Sequence, residues 1–211
     1  MHAKPDLRVV LKWTITGSGS VIAAVIPLEV NVTDLTTVNI QDTWSRITSR
    51  IQELDALNEF NPGATREQIA VLESELGTKL PAALVALLGC QNGCVDYFDQ
   101  LLVDSPFLST KEILDEWKTN CEVDEDSSAG IDIDISDCWW HLRCIPVCGA
   151  NGDCICIDSK TGEMYSHNHG MGGLRGPIAP TLVEWLGNIA DQLETGSTKI
   201  EDSKVTVELI A

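Results

Sequence analysis

Cysteine and histidine side chains are the groups in this sequence best suited to bind a metal ion. Four of the eight cysteines and three of the four histidines fall within residues 141–169: Cys144, Cys148, Cys154, Cys156, His141, His167 and His169. The cysteine pairs have C-x3-C and C-x-C spacing, whereas structural zinc sites favour matched C-x2-C pairs. Cys154 and Cys156 lie two residues apart in a strand-like run, so we expect both to point to one face. We therefore predict buried free thiols without a bound metal, and zinc binding is the alternative.

Motifs for phosphate binding or nucleophilic catalysis do not stand out. The sequence has no Walker motif, and residues 171–176 do not form a G-x-G-x-x-G loop between a strand and a helix. The run His167-Asn168-His169 is similar to a fragment of a metal nuclease site, but the further ligands of such a site do not follow. Because many Cys/His pairs can be drawn, no single pair indicates a nucleophile. We predict no catalytic residues and no cofactor, and an enzyme or zinc-binding protein is the third hypothesis.

Carboxylates dominate the segment between Lys118 and Arg143, which contains seven of them and no Lys or Arg. They are Glu122, Asp124, Glu125, Asp126, Asp132, Asp134 and Asp137. Residues 130–137 alternate between apolar and polar side chains, which predicts a strand with isoleucines toward a core and aspartates toward solvent. The inward residues are Ile131, Ile133 and Ile135, and the outward residues are Asp132 and Asp134.

Two tryptophans, Trp139 and Trp140, follow this acidic segment. Because they are adjacent in a run that we predict as a strand, one indole must face outward. An exposed aromatic side chain beside an acidic face has the composition of an interface anchor. The sequence therefore predicts a binding surface formed by Asp124, Glu125, Asp126, Asp132, Asp134, Asp137, Trp139 and Trp140. The alternative is a solvated acidic strand that only protects a sheet edge against aggregation.

The elements that must position this surface begin with an N-terminal accessory segment, residues 1–42. Two β-type runs joined by the flexible residues 17–20 predict a hairpin within residues 7–32. From Asp42 onward, apolar side chains recur three and four residues apart, which predicts a helix that ends before Asn61. Its buried face consists of Trp44, Ile47, Ile51, Leu54 and Leu57.

Capping boxes predict the next helices. Thr65 with Gln68 opens one that ends at Gly77, and Ser109 with Glu112 opens another over residues 110–118. Between these two helices, Leu80-Pro81 begins a short helix that ends at Gly89, and Asn92-Gly93 is typical of a turn. The first of these helices is expected to bury Ile69, Leu72 and Leu76.

The second half of the chain is predicted to form mainly strands. Residues 139–147, 154–157 and 163–166 are strand-like runs separated by turn-rich segments, which favours an antiparallel meander. Residues 170–180 are rich in glycine and proline and are predicted to form a loop. A last helix starts at Thr181, in a capping box with Glu184, and the tail at residues 196–211 ends in a strand-like run. The predicted class is α+β, with N-terminal helices and a C-terminal helix packed on an antiparallel sheet.

Composition restricts the partners of this chain. Its 32 Asp and Glu residues against 14 Lys and Arg residues leave a net charge of -18 over 211 residues. Such a charge repels nucleic acids and anionic membrane surfaces and favours a basic protein partner. The apolar run at residues 21–30 contains Pro27 and Glu29, is too short to span a bilayer and lacks the flanks of a secretory signal. We therefore expect a cytoplasmic protein.

Residues 62–93 resemble the opening of the SUKH superfamily, in its Smi/Knr branch. The likeness lies in a proline-containing turn, a capped helix with Leu72-Glu73, the Leu80-Pro81 helix start and the Asn92-Gly93 pair. Further matches follow in order: Ser109-Thr110 to Trp117, Ile145-Pro146-Val147, Gly152-Asp153, Cys156-Ile157-Asp158 with Gly162, Ala179-Pro180-Thr181-Leu182 and Trp185-Leu186. The likeness covers residues 43–195, which we take as the predicted SUKH-like domain.

This resemblance implies helices packed on an antiparallel sheet and no catalytic set. Many bacterial members resemble immunity proteins that neutralise secreted toxins, often nucleases, while fungal relatives are regulatory scaffolds. Glu73, Asp158 and Asn92-Gly93 are then structural. The leading hypothesis is an immunity protein that binds a basic toxin domain, and the alternative is a regulatory scaffold of the Smi/Knr type.

Overall fold

A computed structural model describes residues 10–15, 21–26, 32–96, 101–102, 105–124, 135, 138–196, 198–201 and 204–207. The chain divides into two compact units, residues 1–35 and residues 36–211. In the first unit, strands β1 (Val10–Ile15) and β2 (Val21–Ile26) pair antiparallel, with Val10 opposite Ile26 and Ile15 opposite Val21. Both strands fall within the residues predicted to form a hairpin.

Helix α1 (Val32–Glu53) begins earlier than the predicted Asp42 and, as predicted, ends before Asn61. Trp44, Ile47 and Ile51 are buried on one face, as their spacing predicts. Leu57, predicted on the same face, is instead 58% exposed. The chain leaves the helix after Glu53 and passes through Asp55, whose φ is 51°, so the helical spacing no longer applies there.

Helices α2 (Arg66–Leu76) and α4 (Thr110–Val123) start at the predicted capping boxes, and both hydrogen bonds of each box are present. The Gln68 N–H donates to Thr65 Oγ1 at 3.2 Å, and the Thr65 N–H donates to Gln68 Oε1 at 2.8 Å. Helix α3 (Ala82–Cys90) lies between them. The α4 helix continues past the predicted end at residue 118, which brings its C-terminal turn to the acidic segment.

The Asn92-Gly93 pair is not the predicted turn. It lies in strand β4 (Gln91–Cys94), which pairs antiparallel with β3 (Phe60–Pro62). Asn92 Oδ1 accepts the Thr110 N–H at 2.8 Å, and a Cβ at Gly93 would lie 2.6 Å from Ser109 N. The pair therefore serves as a docking point for the N-terminus of α4, because only glycine permits that approach.

A four-stranded antiparallel meander forms the main sheet, which confirms the predicted α+β class. Its order is β5 (Cys144–Ala150), β6 (Asp153–Asp158), β7 (Met164–Asn168) and β8 (Gly173–Ala179). Two predicted bounds are wrong: the first strand begins at Cys144 instead of Trp139, and the predicted loop contains β8. The glycines and proline of β8 are tolerated because it is an edge strand, where a missing N–H leaves no neighbouring strand unpaired.

Each face of the meander contributes to a hydrophobic cluster. The larger core includes residues of α1, α3 and α5 (Leu182–Thr195) together with Ile145, Val147, Ile155 and Ile157. The α5 helix is capped by Thr181, whose Oγ1 accepts the Glu184 N–H at 3.1 Å. A smaller cluster contains Ile135, Trp140, Cys144, Cys154, Cys156, Tyr165 and Leu174, with Trp117, Cys121, Cys138 and Trp139 packed against it. Two short strands near the C-terminus, β9 (Lys199–Glu201) and β10 (Lys204–Thr206), pair antiparallel.

The larger core extends beyond the predicted domain bounds of 43–195. Ile40, Val205 and Val207 are fully buried in it. None of the helices in the described residues combines the length and the apolar character needed to cross a bilayer.

Candidate functional site

The predicted binding surface falls only partly within the described residues. Asp124, Trp139 and Trp140 are described; Glu125, Asp126, Asp132, Asp134 and Asp137 lie outside the described residues. Ile135, the described residue of the predicted acidic strand, is buried as expected. Its carbonyl accepts a hydrogen bond from the Cys138 N–H at 3.3 Å, an i-to-i+3 contact that is typical of a turn.

The two tryptophans precede β5 and occupy different environments. Trp140 is 1% exposed and belongs to the smaller cluster, whereas Trp139 is partly exposed. Both indoles contact the buried His167 ring edge-on, with centroid distances of 4.7 Å for Trp139 and 5.0 Å for Trp140. The outward aromatic side chain is thus Trp139, although the pair does not lie in a strand.

His167 itself is held neutral by its surroundings. Its Nδ1 lies 2.7 Å from the Gly152 carbonyl oxygen, so a hydrogen bond there requires the proton on Nδ1. Burial lowers the pKa of His167, because a charged imidazole would lose its hydration. The ring therefore supports the two tryptophans as a packed neutral group and is not an exposed ligand.

Asp124 connects the end of α4 to the tryptophan pair. It follows the last residue of α4, and its Oδ2 accepts the Trp140 N–H at 3.1 Å. Asp124 and the partly exposed Trp139 also line one cavity. Three residues that the sequence predicted as one surface are thus brought together: Asp124, Trp139 and Trp140.

A cavity of about 440 Å³ opens between α4 and the sheet at this point. We call it the Trp139 pocket, and it is lined by Thr119, Asn120, Val123, Asp124, Trp139, Asn151, Gly152 and His169. Among these described lining residues none is Lys or Arg. Its volume lies within the range of ligand pockets in proteins. The helical spacing of α4 places Asn120 and Val123 close together, so the sequence could have indicated that they line one site. No local pattern shows that a turn of the sheet faces them.

That turn is the Asn151-Gly152 link between β5 and β6. Asn151 has φ 57° and Gly152 has φ 89°, so both residues adopt the positive φ that a two-residue hairpin turn of type I′ requires. The Gly152 N–H donates to Glu116 Oε1 at 2.8 Å, which ties the turn to α4. The wall of the pocket is thereby fixed by local backbone geometry.

Two further carboxylates lie next to this wall. Burial raises the pKa of Glu116, and the negative charge of Asp153 raises it further. Burial alone would raise the pKa of Asp153, but hydrogen bonds from the His169 N–H and imidazole outweigh that effect and lower it. The pocket therefore has one carboxylate, Asp124, in its described lining, and two more, Glu116 and Asp153, lie beside the Asn151-Gly152 turn, with Asp153 paired to His169.

The cysteines considered as metal ligands are divided between the two clusters. Cys154 and Cys156 share one face of β6, as predicted, and lie with Cys144 in the smaller cluster, whereas Cys148 lies in the larger core. Burial raises the pKa of the Cys148 thiol well above its ordinary value. His141 is buried, and His169 is exposed against Asp153. Within the described part of the chain, no group of three His, Cys, Asp or Glu side chains is arranged to hold a metal ion.

One known protein family matches this chain. The profile of the SMI1 / KNR4 family (SUKH-1) matches residues 63–188, a span that includes the whole Trp139 pocket. A search of curated proteins finds no match. Because the family profile covers more than half of the 211 residues, the chain belongs to the SMI1 / KNR4 family (SUKH-1).

Proposed function

We propose that this chain is a non-catalytic protein-binding domain that acts as an immunity protein and neutralises a basic toxin domain. The observation that carries the proposal is the position of Asp124 beside the partly exposed Trp139, at a cavity whose described lining residues include no Lys or Arg. An aromatic anchor next to a carboxylate is the composition of a binding hot spot for a basic partner.

Apolar side chains near the Trp139 pocket support a protein partner. Val123 lines the pocket and is 64% exposed, and Met171, two residues after the lining residue His169, is 63% exposed. Exposed large apolar side chains around a pocket that also contains an aromatic residue provide the desolvated contact area of an interface. The net charge of -18 would speed the encounter with a positively charged protein at low salt.

The first test is the genomic neighbourhood, where the proposal expects an adjacent gene for a secreted toxin, and the toxin domain of that gene is the partner for the binding test. Co-expression with the chain is expected to protect cells, and the two purified proteins are expected to form a complex measurable by calorimetry. Trp139→Ala should weaken binding by about 2–4 kcal/mol, as for a central anchor. Val71→Ala is the matched control, because Val71 is 61% exposed on α2 and does not line the Trp139 pocket.

A charge variant tests the electrostatic part of the proposal. Asp124→Asn keeps a side-chain oxygen to accept the Trp140 N–H but removes the charge, and we expect slower association with a weaker dependence on salt. Asp42→Asn on α1 changes the net charge equally outside the pocket and should have little effect. Full protection with unchanged affinity in both pocket variants would place the interface elsewhere. A lack of protection by the unmodified chain would contradict the immunity role and favour the regulatory scaffold.

A further inference from the structure

We infer that the Trp139 pocket binds one arginine side chain of the partner protein. This inference rests on the proposed function for its biological meaning, but the chemistry of the pocket can be tested without the partner. The pocket combines an aromatic wall, a carboxylate at its edge and a volume of about 440 Å³.

The aromatic wall is held in place before any ligand arrives. The indole of Trp139 packs edge-to-face on the His167 ring at an interplanar angle of 87°. Behind it, Gly173 leaves space for the backbone of Trp139, since a Cβ at Gly173 would lie 2.5 Å from Trp139 Cα. A ring fixed in this way loses little conformational entropy when a ligand stacks on it.

The charges around the pocket favour a cation. Asp124 lines the pocket, and Glu116 and Asp153 lie beside the Asn151-Gly152 turn. Two basic side chains on adjoining elements are engaged with other groups: Lys118 is paired with Glu75 at 3.0 Å, and Arg175 donates to the Met171 carbonyl at 2.7 Å. The lining residue His169 is paired with Asp153 at 2.8 Å, so Asp124 is the carboxylate of the described lining that is left for a ligand. Glu116 accepts the Gly152 N–H at 2.8 Å and so places a further carboxylate directly behind the turn that forms one wall of the pocket.

Arginine suits this site better than lysine. A guanidinium is planar, stacks on an indole and donates two parallel hydrogen bonds to a carboxylate, whereas an ammonium is a compact and strongly hydrated charge. The polar lining adds the exposed residues Thr119 and Asn151, whose side-chain oxygens can accept remaining N–H groups. Stacking on Trp139 and pairing with Asp124 thus use both properties that distinguish arginine.

The experiment is an NMR titration of the unmodified protein, observing the indole N–H of Trp139, which Trp139→Phe assigns. The probe is N-acetyl-arginine methylamide. We expect a saturable shift with a millimolar dissociation constant, a weaker response to the lysine derivative and no saturable shift with the citrulline derivative, which has the same shape without the charge. Asp124→Asn should weaken arginine binding by about tenfold. Asp115→Asn, on the same helix but paired with Lys111 outside the pocket, should leave it unchanged.

The outcomes separate this inference from the proposed function. An equal response to arginine and citrulline, or no saturable response to arginine, overturns the arginine pocket even if the toxin is still inhibited. Saturable binding that depends on Asp124, in a protein that does not inhibit the toxin, supports the pocket and overturns the immunity role.

Discussion

Glu73 shows how a single side chain joins two helices. Its Oε2 lies 2.6 Å from Lys79 Nζ, and its Oε1 accepts the Leu80 N–H at 3.1 Å, so the carboxylate links α2 to the start of α3. The hydrogen bond from Lys79 lowers the pKa of Glu73. We therefore expect Glu73→Gln to lower the free energy of unfolding at pH 7 by about 1 kcal/mol.

The pH dependence of this effect has a definite sign. A carboxyl group whose pKa is lower in the folded state stabilises the fold above its unfolded pKa of about 4.3, and this contribution is lost as the pH falls through the folded pKa. The difference between the unmodified protein and Glu73→Gln should therefore shrink below pH 4 in urea unfolding experiments. Glu75→Gln is the control, because its ion pair with Lys118 is exposed and should contribute almost nothing. A constant difference from pH 7 to pH 3 would contradict the role of the charge.

Substitution of Gly173 tests how tightly the backbone of Trp139 is packed at the candidate site. Its φ is 94°, and a Cβ there would lie 2.5 Å from Trp139 Cα and 2.6 Å from the Trp139 carbonyl oxygen. Gly173→Ala should destabilise the protein by about 1–3 kcal/mol and move the NMR resonances of Trp139. Gly187→Ala in α5 is the control, since nothing lies within 4 Å of its added methyl group, and it should stabilise by about 0.5–1 kcal/mol. Similar unfolding curves for the two variants would show that Trp139 is not held as described.

At the scale of the element, the side chain of Asn58 anchors the C-terminal strand β10 to the rest of the fold. The Asn58 amide donates to the Val205 carbonyl oxygen at 3.0 Å and accepts the Val205 N–H at 2.9 Å, so one side chain replaces a strand partner. Asn58→Ala leaves both buried backbone groups without this partner and should lower the free energy of unfolding by about 2–4 kcal/mol. Asn39→Ala, at an exposed position of α1, should change it by less than about 0.5 kcal/mol. Thermal unfolding of the two variants provides the comparison, and equal melting temperatures would refute the anchoring role of Asn58.

At the scale of the whole molecule, the division of the chain into two units predicts how truncation from the N-terminus affects the free energy of unfolding. Residues 1–35 and 36–211 form separate units, and Ile40 is fully buried in the core of the second. Deleting residues 1–31 should therefore leave a cooperative unfolding transition in circular dichroism. Deleting residues 1–42 also removes Ile40 and should destabilise the remainder by at least about 2 kcal/mol. A non-cooperative transition after the shorter deletion would show that the hairpin stabilises the second unit.

The sequence by itself determined the features that depend on near neighbours in the chain. Both capping boxes, the buried face of α1 up to Ile51, the common face of Cys154 and Cys156 and the α+β class all follow from contacts or periodicities that span a few residues. Family membership was equally predictable, because it depends on the order and spacing of such features.

Only the tertiary structure decided where distant segments meet. Asn92-Gly93 became a docking point for α4 because the Thr110 N–H, its partner, lies 18 residues further along the chain. Residues 173–179 became an edge strand because they pair with β7, and the pairing outweighs the loop-like glycine and proline content of this segment. The Trp139 pocket needed α4, the Asn151-Gly152 turn and Asp124 to converge, and no local pattern encodes those distances. The physical reason is that periodicity and capping report interactions over about four residues, whereas pairing of strands and closure of a cavity depend on long-range packing.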